Sequence, residues 1–149
     1  MTIDFKIVFD ATDPHRQCGF WADALGYVIE DNSALVERVL AYGAANEDDV
    51  MTVDGRLAWR GAAAIRHPDD PFDPDTGIGQ GRRLLFVAVP EPKTVKNRVH
   101  LDLHVGRDRM HGEAARLVEL GATLVREVRE PASHHLTLTD PEGNEFDVQ

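Results

Sequence analysis

Lys96-Asn97-Arg98-Val99-His100-Leu101-Asp102-Leu103-His104-Val105 and Asp140-Pro141-Glu142-Gly143-Asn144-Glu145-Phe146-Asp147-Val148 are the two stretches that decide the fold. The first alternates apolar and polar residues, so a strand over it puts His100, Asp102 and His104 on one face. The second is a tight Asp-Pro-Glu-Gly turn that feeds a short terminal strand carrying Asp147. Together they place histidines and carboxylates on neighbouring sheet faces.

Outward from these segments the chain reads as alternating strands and helices. Phe5 to Asp10 is strand-like. Asp13-Pro14 supplies an N-cap and a first-turn proline. The helix that follows has Cys18, Trp21 and Leu25 on its buried stripe and stops at Gly26. Tyr27-Val28-Ile29 starts the next strand. Ser33 opens a second helix, with Leu35, Val39, Leu40 and Tyr42 as its apolar residues and Gly43 as its stop. Asp54-Gly55 marks a hairpin. Ala62 to Ile65 and Leu84 to Val89 are further strands.

In the second half Asp108 caps a helix from about Arg109 to Leu120, with Ala114, Leu117 and Val118 on its apolar face and Gly121 as its stop. Ala122 to Val128, Leu136 to Thr139 and Glu145 to Val148 are the last strands. The two Leu-Gly pairs, Leu25-Gly26 and Leu120-Gly121, lie 95 positions apart, and Lys6 and His100 lie 94 apart. This spacing predicts two βαβββ modules, about 1–91 and 92–149, within one α+β domain. Their curved mixed sheets are expected to form a cleft.

Composition bounds the function. At 149 residues, with 42% hydrophobic and 28% charged residues, the chain is an ordinary globular protein with material for a substantial core. No apolar run approaches the ~18 residues of a membrane span, and no basic and apolar leader is visible. A formal charge of −10 disfavours nucleic acid and favours a cationic ligand. Cys18 is the single cysteine, which excludes an internal disulfide and leads us to expect a cytoplasmic protein with a buried structural thiol. His67 to Gly81 holds three prolines, four aspartates and three glycines and reads as a loop. Its Gly77-Ile78-Gly79-Gln80-Gly81 lacks the flanking strand, helix and Lys-Ser/Thr of a phosphate cradle.

The segments Phe20-Trp21-Ala22-Asp23-Ala24-Leu25-Gly26-Tyr27, Lys93 to Leu103, Leu117-Val118-Glu119-Leu120-Gly121-Ala122 and the Asp-Pro-Glu-Gly-Asn-Glu-Phe turn occur in order. With them the chain resembles the vicinal oxygen chelate superfamily, in its glyoxalase-like and bleomycin-resistance branch. The resemblance implies a homodimer and ligands on the first and last strands of each module. His100 matches the histidine that opens module two, and Asp147 the carboxylate on its last strand. In module one, Lys6 stands at the first ligand position, and Phe86 to Ala88 offer no donor at the second. A lysine ammonium has no lone pair to give. The expectation is therefore no resident metal cofactor, with a divalent metal as the alternative.

His100 and Asp147 are the expected catalytic or anchoring pair, because a carboxylate beside an imidazole orients it as a base. Lys6 is expected near one of them. Asp102 and His104 are expected to line the same pocket. Four residues along a strand span ~13 Å, too far for His100 and His104 to share one ion. Lys6, Val8 and Asp10 share one face of the first strand, so Lys6 and Asp10 join the ligand-binding set, as does Trp59 for stacking. His134 and His135 point to opposite faces, so at most one enters the site. His15, His67 and His111 read as surface residues. Two functions follow: a protein that captures a small organic molecule, or a metal-dependent lyase, isomerase or dioxygenase.

Overall fold

The computed structural model describes residues 1–149. They fall into two compact units, Met1–Pro90 and Glu91–Gln149. The architecture is mixed α and β without a closed barrel, and no helix is long and apolar enough to cross a membrane.

The first unit contains β1 (Ile7–Ala11), α1 (Pro14–Leu25), β2 (Val28–Ile29), α2 (Ser33–Ala41), the hairpin of β3 (Val50–Val53) and β4 (Arg56–Trp59), β5 (Ala62–Arg66) and β6 (Arg83–Ala88). Its main sheet has the order β1-β6-β5-β2, with β1 parallel to β6 and the other neighbours antiparallel. The second unit contains β7 (Asp102–Leu103), α3 (Met110–Leu120), β8 (Thr123–Glu130), β9 (Ser133–Thr139) and β10 (Glu145–Val148). Its sheet order is β7-β10-β9-β8, again with the first strand parallel to the last. Both sheets thus run first, last, third, second, the topology of two βαβββ repeats.

The local signals behind these elements are physical. Asp13 accepts from the amides of His15 and Arg16 and caps α1. Gly26 (φ 67°) and Gly121 (φ 119°) end α1 and α3 in the left-handed region that a side chain resists. Asp54 (φ 49°) and Gly55 (φ 78°) make the primed turn between β3 and β4. In the first unit Trp21 packs against Phe9 and Phe20 at ring distances of 5.6 and 5.3 Å, and Phe86 closes on Phe9 at 5.4 Å. In the second unit Met110 and Leu117 of α3 are buried, as are Leu136, Leu138, Phe146 and Val148 of the sheet.

Three expectations need correction. The strand expected over 96–105 shrinks to Asp102–Leu103, because β10 is four residues long and only Asp147 and Val148 pair with it. Asp108 does not cap α3; Arg109 stands at the cap without a side-chain bond. In α2 the buried residue is Val36, while Tyr42 is 86% exposed because it lies past the last turn.

The glycine run has a packing explanation. A Cβ on Gly77 (φ 74°) would lie 2.0 Å from the Asp31 carbonyl oxygen. One on Gly79 would meet Arg66, and one on Gly81 would meet Asp70. The Gly79 amide, the kind of donor a phosphate would use, instead donates to Glu30 Oε1 at 2.8 Å. Gly77→Ala is expected to cost about 1–3 kcal/mol, from positive-φ strain and forced backbone movement. Urea unfolding checks this, and a cost indistinguishable from zero contradicts the close-approach reading.

Candidate functional site

The sheet register of the second unit builds the site. Asp147 on β10 is the Cα partner of Asp102 on β7 and of Thr137 on β9, so these three side chains form one row across the sheet. Phe146 and Val148 point the other way, into the core. His100 lies two residues before Asp102, and His135 two before Thr137. The period of two therefore brings both imidazoles to the face of that row.

The distances are those of a polar cluster. His100 Nε2 is 3.3 Å from Asp102 Oδ1 and 3.5 Å from Asp147 Oδ2. His135 Nε2 is 3.6 Å from the same Asp147 Oδ2. The far oxygen of each carboxylate is held by a neutral donor. Thr137 Oγ1 donates to Asp147 Oδ1 at 2.7 Å, and Gln149 Nε2 donates to Asp102 Oδ2 at 3.1 Å. Ser133 Oγ lies 2.8 Å from His135 Nδ1 and fixes that ring. His100 and Asp102 are open to solvent, while Asp147 is largely shielded. One donor atom each from His100, Asp102 and Asp147 fits within 4.8 Å, a spacing that can take a cation.

A third carboxylate positions the approach to His100. Glu145 Oε2 accepts the Asn97 amide at 3.0 Å and pairs with Lys93 Nζ at 3.0 Å, pinning the 93–97 segment to β10. Burial works against ionisation of Glu145, yet the Asn97 amide and the Lys93 ammonium outweigh it and hold the carboxyl at about 2. The folded value lies below the ordinary 4.5. Its stabilising contribution is therefore complete above that pH and is lost as pH falls through about 2. Glu145→Gln is expected to flatten the loss of stability between about pH 4.5 and pH 2, measured by urea midpoints. An unchanged acid profile contradicts the assignment.

The remaining expected site residues are distributed as follows. His104 is exposed beyond β7 and lies outside the cluster. Lys6 and Asp10 belong to the first unit, where both are exposed, with Asp10 on the open face of β1. Trp59 ends β4, is half-buried and lines a cavity within the first unit. His134 takes the opposite face, where it and His111 reach Glu127 at 2.8 and 3.3 Å. Two surface assignments are corrected. His15 is half-buried because its Nε2 bonds the Trp59 carbonyl at 2.8 Å. His67 is half-buried because its ring packs on Tyr27 at 5.2 Å. Thr137, Gln149 and the Glu145 clasp were missed. An Asp flanked at matched register by Thr is the signal that would have found Thr137.

The profile of the glyoxalase-like domain matches residues 6–149. Among curated proteins, none matches the sequence. Solved structures share the fold at low identity. A glyoxalase/bleomycin resistance protein/dioxygenase family enzyme from Burkholderia phytofirmans is 13% identical, with 96% of this chain and 94% of that one covered and a TM-score of 0.58. The fosfomycin resistance protein FosX from Mesorhizobium loti is 9% identical, with 100% and 91% covered and a TM-score of 0.61. FosX from Listeria monocytogenes, complexed with Mn(II) and 1S,2S-dihydroxypropylphosphonic acid, is 8% identical, with 100% and 90% covered and a TM-score of 0.59.

Proposed function

The chain belongs to the glyoxalase-like domain family, and we propose that it binds a small organic cation through His100, Asp102 and Asp147. One observation carries this reading. Two carboxylates are turned on one imidazole edge, each steadied from behind by a neutral donor, and the charged partners of Asp147 are imidazoles alone. The two carboxylates sit close together, and their negative charges repel each other. An organic ammonium or amidinium arriving between them relieves that repulsion and satisfies the oxygens turned toward His100. The net charge of −10 draws such a guest in. His100 then acts as a polar anchor that can also hold a proton for the guest.

A second reading rests on the same three atoms. One imidazole and two carboxylates within 4.8 Å match the three-ligand count of catalytic metal sites, which leave a position open. A bound divalent ion would supply Lewis-acid chemistry, as a lyase, isomerase or dioxygenase needs. The donor set supports this less well than the first reading. Lys6 and Phe86 to Ala88 of the first module add no ligand at the positions the resemblance indicates.

Elemental analysis of protein purified without added metal separates the two. The binding reading expects well under one Mn, Fe, Ni or Zn per chain. One ion per chain, lost in His100→Ala, favours the metalloenzyme.

A further inference from the structure

The two modules differ most at the connection between their second and third sheet strands. In the second unit β8 passes to β9 through Pro131 and Ala132 alone. In the first unit residues 30–61 intervene between β2 and β5 and carry α2 and the β3–β4 hairpin. A βαβββ module closes its sheet without this insertion. The inserted hairpin, with α1 and β5, walls a cavity of about 180 Å³. A cavity of ~150 Å³ already holds benzene.

The wall has two kinds of surface. Ile29, Leu57, Ala62, Ala63 and the Trp59 side of the hairpin give an apolar interior. His15 Nε2 is committed to the Trp59 carbonyl and so ties the hairpin to α1. Cys18 also lines the cavity, but its thiol donates to the Ala64 carbonyl at 3.4 Å, and burial pushes its pKa up to about 12. It stays protonated, and no covalent role follows.

The charges decide the guest. Glu30 is neutralised by Arg83, whose Nε lies 2.6 Å from Oε1 and whose Nη2 lies 2.8 Å from Oε2. Asp31 is neutralised by Arg56 at 2.7 Å. Asp54, exposed at the tip of the hairpin, lines the cavity with no cation paired to it. The cavity therefore offers an apolar interior, an indole and one uncompensated carboxylate. We propose that it is a second ligand site, separate from the His100 cluster, for a small organic monocation with an apolar body of benzene-ring size. The body fills the wall between Ile29 and Trp59, and the cationic head pairs with Asp54.

Amide-resolved NMR titration with benzylammonium, and with benzyl alcohol as its neutral counterpart, tests this. Benzylammonium is expected to give saturable shifts at residues around the cavity below ~10 mM, with benzyl alcohol at least about tenfold weaker. Asp54→Asn keeps the turn, because Asn tolerates the left-handed conformation, and is expected to weaken binding about fivefold or more. Trp59→Leu does the same while leaving an apolar side chain. His100→Ala is expected to leave these shifts unchanged, since His100 is not among the residues that line the cavity. Equal binding of the alcohol, shifts confined to the second unit, no saturable shift, or indifference to Asp54→Asn in a folded variant each overturns the proposal.

Discussion

Arg83→Ala is expected to lower the unfolding free energy by about 3–5 kcal/mol, the range for breaking one partner out of a buried ion pair. The Glu30 side chain has no exposed surface, and that of Arg83 is 11% exposed. The guanidinium grips both carboxylate oxygens, and the Gly79 amide gives the other bond to that carboxylate. Without Arg83 the carboxylate stays charged where water cannot reach it, or must take up a proton. Both outcomes cost stability. Glu30 directly follows β2 and Arg83 opens β6, so the pair also ties two strands of the first sheet to the glycine loop. The double variant Glu30→Leu/Arg83→Met removes both charges and is expected to be more stable than Arg83→Ala. Urea unfolding of the three proteins checks both statements. A loss below ~1 kcal/mol for Arg83→Ala contradicts the buried-pair account.

Asp102→Asn/Asp147→Asn is expected to abolish binding of organic cations at the second unit, a loss of at least about a hundredfold, or ~2.7 kcal/mol. Asparagine keeps the shape and can still bond Thr137 and Gln149, so the fold survives. What disappears is the pair of negative charges facing His100. Each single variant is expected to lose about tenfold, because one carboxylate remains. The effect should shrink at high salt for wild type and be absent in the double variant, since Asp102 is partly exposed. NMR titration with a panel of alkyl ammonium and amidinium ions reads this directly. Equal affinity in wild type and double variant contradicts the anchor.

Much of this architecture was legible because its signals are local. Asp13-Pro14, Gly26, Gly121 and Asp54-Gly55 each answer a backbone requirement within a few residues, and each sits where the sequence placed it. The repeat was legible because both Leu-Gly pairs close equivalent helices. What could not be read depends on register between distant segments. Nothing near Glu30 indicates that Arg83 will face it. Whether His134 or His135 approaches Asp147 depends on the pairing of Asp147 with Thr137, which alternation alone leaves open. The length of β7 was overestimated because alternation over 96–105 says nothing about how short its partner is. The packing cause of the glycine run, backbone approach to Asp31, is visible only in three dimensions.

Calorimetric titration of wild type and His100→Ala with Zn²⁺ and Ni²⁺ tests most directly whether the cluster works as an organic-cation anchor without a metal. The account predicts binding weaker than about 10 µM, or roughly −7 kcal/mol, in wild type. Tight one-to-one binding in wild type that vanishes in His100→Ala would contradict it and make the cluster a metal centre.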